Sequence, residues 1–275
     1  MEQAGRQTNF HLLGRSEMDK KVALISLFRN NSGDVGRIVS EYRQHGFTPE
    51  RLIRICVEGD SEDDTFAALE SASKSIPLLL RKFDQGNPHY KSEINHHRLE
   101  CLTRCWNIGL ELFLESDAEF GMIIDSDIAM PDNIIPILLR ECRGIIAPLM
   151  LFEASMFFRD TWGYRDLNDN DFYNHPPFTG NFDWLKPFEV SSVGLPFFHR
   201  NIIESGLRFA DDEVVGFCRA ARRQGHRIFA TPNARVYHPR VVEVPKVYDR
   251  EWFVPSHISH PGQGVRIRAQ KRRRP

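Results

Sequence analysis

Asp125 and Asp127 flank Ser126 at the end of a short apolar run, Gly121-Met122-Ile123-Ile124. On an extended chain, residues i and i+2 face the same side, so the two carboxylates can address one object. At the carboxyl end of a buried strand, a hard divalent cation carrying phosphates is such an object. Asp and Ser are also ordinary turn residues after a strand, so the triplet alone leaves both readings open.

The rest of the chain limits what such a site can belong to. Its 275 residues are enough for one large domain with an extension. With 41% hydrophobic and 27% charged residues, the composition is that of a soluble globular protein. A formal net charge of -1 supplies no global field toward nucleic acid or anionic lipid. No apolar run approaches the ~18 residues of a membrane span, and residues 1–21 lack the apolar centre of a signal peptide. Cysteines 56, 101, 105, 142 and 218 are odd in number and show no CxxC spacing, which fits a reducing, cytoplasmic setting.

Elements able to position the acids follow in order. Residues 1–20 carry no periodicity and read as a loose lead-in. Residues 22–28 form a continuous apolar run, as in a strand buried on both faces, and break at Arg29-Asn30-Asn31-Ser32-Gly33. Val35, Ile38, Val39 and Tyr42 recur at helical spacing, with Gly46 as the stop. Residues 52–57 read as a second strand. After it come Glu58-Gly59-Asp60 and a helix through Phe66, Leu69 and Ala72, with Ser61 and Asp64 at capping-box spacing. Residues 77–83 read as a third strand. This alternation predicts an open α/β sheet, which binds ligands at the carboxyl ends of its strands. Arg29, Asn30, Glu58 and Asp60 fall at those ends. No Gly-x-Gly-x-x-Gly follows a strand and no Gly-x-x-x-x-Gly-Lys-Ser/Thr occurs, which removes support for dinucleotide and P-loop folds.

A long helix over residues 93–115 carries Leu99, Leu102, Trp106, Leu110 and Leu114 on its apolar stripe, with Arg98 and Arg104 outside it. A short helix over 132–142 and a strand over 144–152 follow the acids. Residues 153–187 are rich in Asp, Asn, Pro and aromatics, including Trp162, Tyr164, Phe172, Tyr173, Phe178, Phe182 and Trp184. They suit either a lid that meets sugar faces and edges or a loop with aromatic anchors. Asp211-Asp212-Glu213 opens a helix, where the dipole alone favours acids. Short strands over 227–230 and 234–237 lead to His238-Pro239. Beyond residue 240 an extension ends in a basic tail containing Arg266, Arg268, Lys271, Arg272, Arg273 and Arg274.

The order of Glu58-Gly59-Asp60-Ser61-Glu62-Asp63-Asp64-Thr65, Arg104-Cys105-Trp106-Asn107 and Asp125-Ser126-Asp127 resembles that of the GT-A glycosyltransferases. It is similar to the large group of nucleotide-sugar transferases of family-2 type. Arg98, Arg104 and Arg159-Asp160-Thr161-Trp162-Gly163-Tyr164-Arg165 also resemble segments of the fungal mannan polymerase subunits. The resemblance covers residues 21–240 and implies a Rossmann-like, mostly parallel sheet flanked by helices in a single domain, with an aromatic-rich lid and a basic C-terminal tail over 241–275.

By that resemblance, Arg29, Glu58, Asp60, Arg98, Arg104, Asp125, Ser126 and Gly194 are nucleotide-sugar-binding candidates. Glu58 stands where relatives carry the leading acid that contacts the base. Asp125, Asp127 and His238 are the candidate ligands of Mn²⁺ or Mg²⁺. Asp212 is the first choice for the base or acceptor-binding acid, with Glu213 and Asp211 as alternates. The implied activity is metal-dependent transfer of a hexose or pentose from a nucleotide-diphosphate sugar to an acceptor hydroxyl. That hydroxyl belongs to a glycan or, through the basic tail, to a hydroxymethylated DNA base. The rivals are a sugar-nucleotide pyrophosphorylase and a non-catalytic nucleotide-sugar or nucleic-acid binding module; Arg29-Asn30-Asn31-Ser32-Gly33 is poor in Gly and Lys for the former.

Overall fold

A computed structural model describes residues 20–44, 48–88, 90, 95–131, 133–152, 163–170, 186–210 and 212–238. The lead-in over 1–19, Gly46, Asp211, most of the aromatic segment and the extension from residue 239 lie outside the described residues.

The three apolar runs expected first are strands β1 (Val22–Phe28), β2 (Leu52–Glu58) and β3 (Leu78–Lys82), paired in parallel with β2 between the other two. Helices α1 (Ser32–Gln44) and α2 (Thr65–Ser73) form the crossovers. Beyond them come α3 (His96–Glu115), β4 (Phe120–Ile123), α4 (Ile134–Glu141) and β5 (Ile145–Phe152). β6 (Phe188–Val190), β7 (Phe197–His199), α5 (Arg200–Glu204), α6 (Glu213–Arg223) and β8 (Ile228–His238) complete the order. One eight-stranded sheet runs β3-β2-β1-β4-β7-β5-β8-β6.

β1 is buried on both faces, as its unbroken apolar run requires. Ala23 and Ile25 pack with Trp106, Leu110 and Phe113 of α3, while Val22 and Leu24 join a second cluster with Ile134 and Leu138 of α4. A third cluster holds Ile38 of α1 and Leu69 of α2 against Phe28 and Cys56. The parallel run is interrupted at β7, which pairs antiparallel with both β4 and β5. The sheet is therefore mixed, with parallel pairing resumed between β5 and β8.

Several boundaries differ from the sequence expectation. Residues 228–238 form one strand rather than two, with an irregularity in its register opposite Pro148 and Leu149. Residues 188–190 and 197–199, for which the sequence pattern predicts no element, are strands. The Ser61–Asp64 capping box does not form: Asp64 makes no side-chain cap, and Asp63 Oδ1 accepts the Thr65 N–H at 3.0 Å instead. Ser61 Oγ is used by the Asn30 N–H at 3.0 Å, which ties the β1 and β2 loops together. Tyr164, expected in the lid, is a core residue 1% exposed, its hydroxyl donating to the Pro148 carbonyl.

The loop after β3 is drawn toward the ends of β1 and β2 by charged groups. Asp60, itself at φ 57°, accepts the N–H groups of Gln85, Gly86 and Asn87 at 2.8, 2.7 and 3.2 Å. Arg29 donates to the carbonyls of Asn87 and Pro88 at 2.6 and 3.3 Å. Burial would raise the Asp60 carboxyl, but the N–H groups of Gly86, Asn87 and Gln85, with Arg29, outweigh it and hold its pKa below the ordinary 3.8. Gly59 lets the chain pass there, because a Cβ would overlap the Phe83 carbonyl.

Gly59→Ala is expected to cost about 1–3 kcal/mol in urea unfolding through that backbone clash. The depressed Asp60 pKa means its stabilising contribution is complete above the unfolded-state value and is lost as pH falls through the folded-state value. Asp60→Asn should therefore flatten the acid limb of a plot of urea midpoint against pH, most visibly below pH ~4.

Candidate functional site

At the carboxyl ends of β1, β2 and β4 lies a cleft of about 680 Å³, lined by both polar and apolar side chains. That is ample for a ligand of nucleotide-sugar size. Arg29, Asp60, Arg98, Asp125, Ser126, Asp127, Gly194, Glu213 and His238 all line it.

The acids sit differently from the extended-strand expectation. β4 ends at Ile123, and Asp125 to Ile128 form a turn closed by the Ile128 N–H to the Asp125 carbonyl at 3.2 Å. Their common side is a product of that turn, not of strand alternation. Ala129 then pairs with Tyr237, exchanging hydrogen bonds of 2.8 and 3.0 Å. The pairing brings the end of β8 beside the turn, and His238 Nε2 lies 3.0 Å from Asp127 Oδ2. His238 is 8% exposed. Ser126 accepts on its hydroxyl from Asn31 Nδ2 at 2.8 Å, joining the turn to the end of β1.

Two ligand atoms bound at ~2.1 Å and at right angles on a divalent cation are ~3.0 Å apart. Asp127 and His238 thus have the separation of one edge of such a coordination shell, given loss of the imidazole proton at Nε2. Asp125 lines the same cleft, but among the described residues no group of three His, Cys, Asp or Glu side chains converges as a ready cluster. The residues fit a cation that completes its shell with ligand and water oxygens.

Elsewhere in the lining, α3 builds the mount for Glu213. Trp106 Nε1 donates to Glu213 Oε1 at 2.6 Å, and its ring stacks on Phe209 at 5.7 Å between centroids. Asn107 grips Phe209 through both backbone groups, at 2.9 and 3.1 Å, and the Thr103 hydroxyl donates to the Ala210 carbonyl at 3.2 Å. Asp212 and Glu213 both have positive φ, 69° and 52°, a strained pair for residues with side chains. The kink turns Glu213 into the cleft and Asp212 out of it.

Three sequence candidates are therefore placed away from the cleft. Asp212 pairs with Arg219 at 3.1 Å and does not line the cleft, whereas its alternate Glu213 does. Glu58 is fully buried on the face of β2 shared with Cys56, where it accepts the Ser61 N–H at 3.2 Å; Val57, one residue earlier, faces the cleft. Arg104 is exposed, six residues along α3 from Arg98 and so on another side of the helix. Sequence reasoning missed the Trp106–Glu213 bond. The signal was an indole N–H on an otherwise apolar stripe, since a buried Trp needs an acceptor. Gln85, Asn87 and Tyr90 also line the cleft, as do Cys101 and Cys105. Burial, reinforced by Cys101, pushes the Cys105 thiol up to about 12.

No family model matches the chain, and no curated protein matches it. Solved structures do. Residues 1–349 of S. aureus TarS align with a TM-score of 0.54 and 12% identity, covering 80% of this chain and 60% of that one. The same protein in complex with UDP-GlcNAc aligns with a TM-score of 0.55 and 13% identity, covering 80% and 58%. Its complex with UDP gives 0.52 and 12%, covering 80% and 60%. The chain thus spans about 60% of the length of these neighbours. The resemblance to fungal mannan polymerase subunits finds no support in these comparisons. Among the described residues no helix is long and apolar enough to cross a membrane. At this level of identity the likeness is one of fold: the mixed eight-stranded sheet flanked by helices is GT-A-like and similar to that of TarS.

Proposed function

We propose that the chain is a metal-dependent glycosyltransferase, moving a sugar from a nucleoside-diphosphate sugar to an acceptor hydroxyl. The observation that carries this reading is the 3.0 Å contact of Asp127 with His238 in a cleft that also presents Glu213. In support, the cleft lies at the carboxyl ends of the strands of a GT-A-like sheet, where open α/β sheets bind ligands. UDP-sugars are the first donors to test, because TarS structures hold UDP-GlcNAc and UDP.

Asp127 and His238, with Asp125 directly or through water, would hold Mn²⁺ or Mg²⁺. Bound there, the cation supplies charge stabilisation to the leaving β-phosphate. Arg98, which lines the cleft, would add a guanidinium to the diphosphate. In the transfer, the bond from the anomeric carbon to the β-phosphate oxygen breaks, and a bond from the acceptor oxygen to that carbon forms. The acceptor proton passes to Glu213 in an inverting reaction; in a retaining one it passes to the departing β-phosphate oxygen, and Glu213 binds the acceptor. Trp106 orients this carboxylate by its indole N–H. The acceptor is a hydroxyl of a glycan or of a hydroxymethylated DNA base, and the setting is cytoplasmic.

A panel of UDP-, GDP- and other sugar nucleotides, assayed for hydrolysis and for binding with Mn²⁺, tests the reading directly. Hydrolysis or metal-dependent binding of at least one donor is expected. Asp127→Ala should abolish turnover, and near-normal turnover in that variant with added Mn²⁺ would overturn the metal assignment. For an inverting enzyme, Glu213→Gln should lower kcat by about 10²–10⁴-fold with little change in the donor KM. Trp106→Phe should act in the same direction but more weakly, visible as a changed pH profile of kcat.

A further inference from the structure

Behind the acid turn, on the side away from the cleft, lies a charged network that the proposed chemistry does not use. Arg37 of α1 donates through Nη2 to the Ser126 carbonyl and through Nη1 to the Ile128 carbonyl, the latter at 2.7 Å. These two carbonyls lie on either side of Asp127 in the chain. The same Nη1 reaches Glu41 Oε1 at 2.7 Å, and Nε reaches Asp34 Oδ1 at 3.5 Å. Glu41 is also bound by Arg54 Nη2 at 3.3 Å, and its Oε1 accepts the Met130 N–H at 3.4 Å. Arg54 and Glu41 are 3% and 7% exposed.

Burying such groups is costly, and an apolar set of equal volume would stabilise a fold at least as well. Stability alone therefore does not account for them. Geometry does. Arg37 and Glu41 lie one helical turn apart and take three backbone groups between residues 126 and 130, two as donor and one as acceptor. A planar guanidinium with five donors can hold two carbonyls and a carboxylate in fixed directions, which an ammonium cannot. Two guanidinium groups and the two carboxylates of Asp34 and Glu41 cancel in charge, so the network adds little net field to the cleft.

We propose that Arg37, held by Glu41, which Arg54 in turn braces, is a positioning residue for the cation–diphosphate site, fixing the turn so that Asp127 stays against His238. This rests on the proposed function only in naming the ligand. The turn is otherwise tied by the Asn31–Ser126 contact and the Ala129–Tyr237 pairing, one at each end. Arg37 controls the middle, where Asp127 sits. Removing it leaves the fold assembled and lets the carboxylate swing from the imidazole.

The test uses the full chain with Arg37→Lys, which keeps the charge but loses the fork, and Glu41→Gln, which keeps the shape but loses the anchor. Melting temperature is measured first, then Mn²⁺ affinity in the presence of UDP, and the side-chain ¹⁵N shifts of His238 in metal-free protein. Both variants are expected to remain folded, to bind Mn²⁺ about tenfold or more weakly, and to show a shifted His238 Nε2 signal. Folded variants with wild-type Mn²⁺ affinity and an unchanged His238 signal would overturn the proposal, and so would lowered stability alone. Wild-type affinity in Arg37→Lys but not in Arg37→Met would also overturn it, because charge rather than geometry would then be the cause. If the wild-type chain binds no Mn²⁺ with any nucleotide, the proposed function fails. The His238 signal still decides the positioning role in that case, unchanged shifts in both variants refuting it.

Discussion

The pairing of Ala129 with Tyr237 is the contact on which the candidate site depends. A sheet strand can offer a side chain at its end, but it cannot by itself bring a second strand's last residue beside it. Here β7 separates β4 from β5, so the turn after β4 and the end of β8 are not neighbours in the ladder. The two hydrogen bonds between Ala129 and Tyr237 bridge that gap outside the sheet. They set the next residue, His238, against Asp127, and everything proposed about a cation follows from that placement.

Around this point the structure follows one plan: a side chain from one element binds backbone of another. Asp60 takes three N–H groups of the loop after β3, Arg37 takes two carbonyls of the acid turn, and Asn107 takes both backbone groups of Phe209. Loops have few backbone partners of their own, and buried backbone groups must be paired. Side chains from helices, and from Asp60 just beyond the end of β2, supply the missing partners and, in doing so, fix where the loops lie. The cleft is consequently walled by loops that have been given fixed positions.

The parts legible in the sequence were those where burial alone decides structure. Residues 22–28 and 52–57 could be read as strands because both faces are covered, and their order foretold the alternating architecture and the cleft end. β6 and β7, three residues each, could not be read, because pairing with β8, β4 and β5 makes them strands and local pattern does not. Glu58 was readable in principle: Arg54, Cys56 and Glu58 alternate with Ile55 and Val57, so the glutamate belongs to the face turned from the cleft. Choosing Glu213 over Asp212 was not readable, since two residues at positive φ break the helical periodicity on which such a choice relies. The antiparallel insertion of β7 left the chain's GT-A-like character intact because the parallel half around β1 carries the motif order.

The separations in sequence across the cleft carry a consequence for how the protein is made. Trp106 and Glu213 are 107 residues apart, and Arg37 and the Ser126 carbonyl are 89 apart. Loops of that length close late in folding, after local helices and adjacent strands have formed. On a ribosome, β1 to β4 with α1 to α3 can assemble as the chain emerges, yet the acid turn lacks its imidazole until β8 has left the exit tunnel. The nascent chain therefore reaches β8 with the acid turn formed but its imidazole absent, and the Asp127–His238 contact forms only when β8 docks.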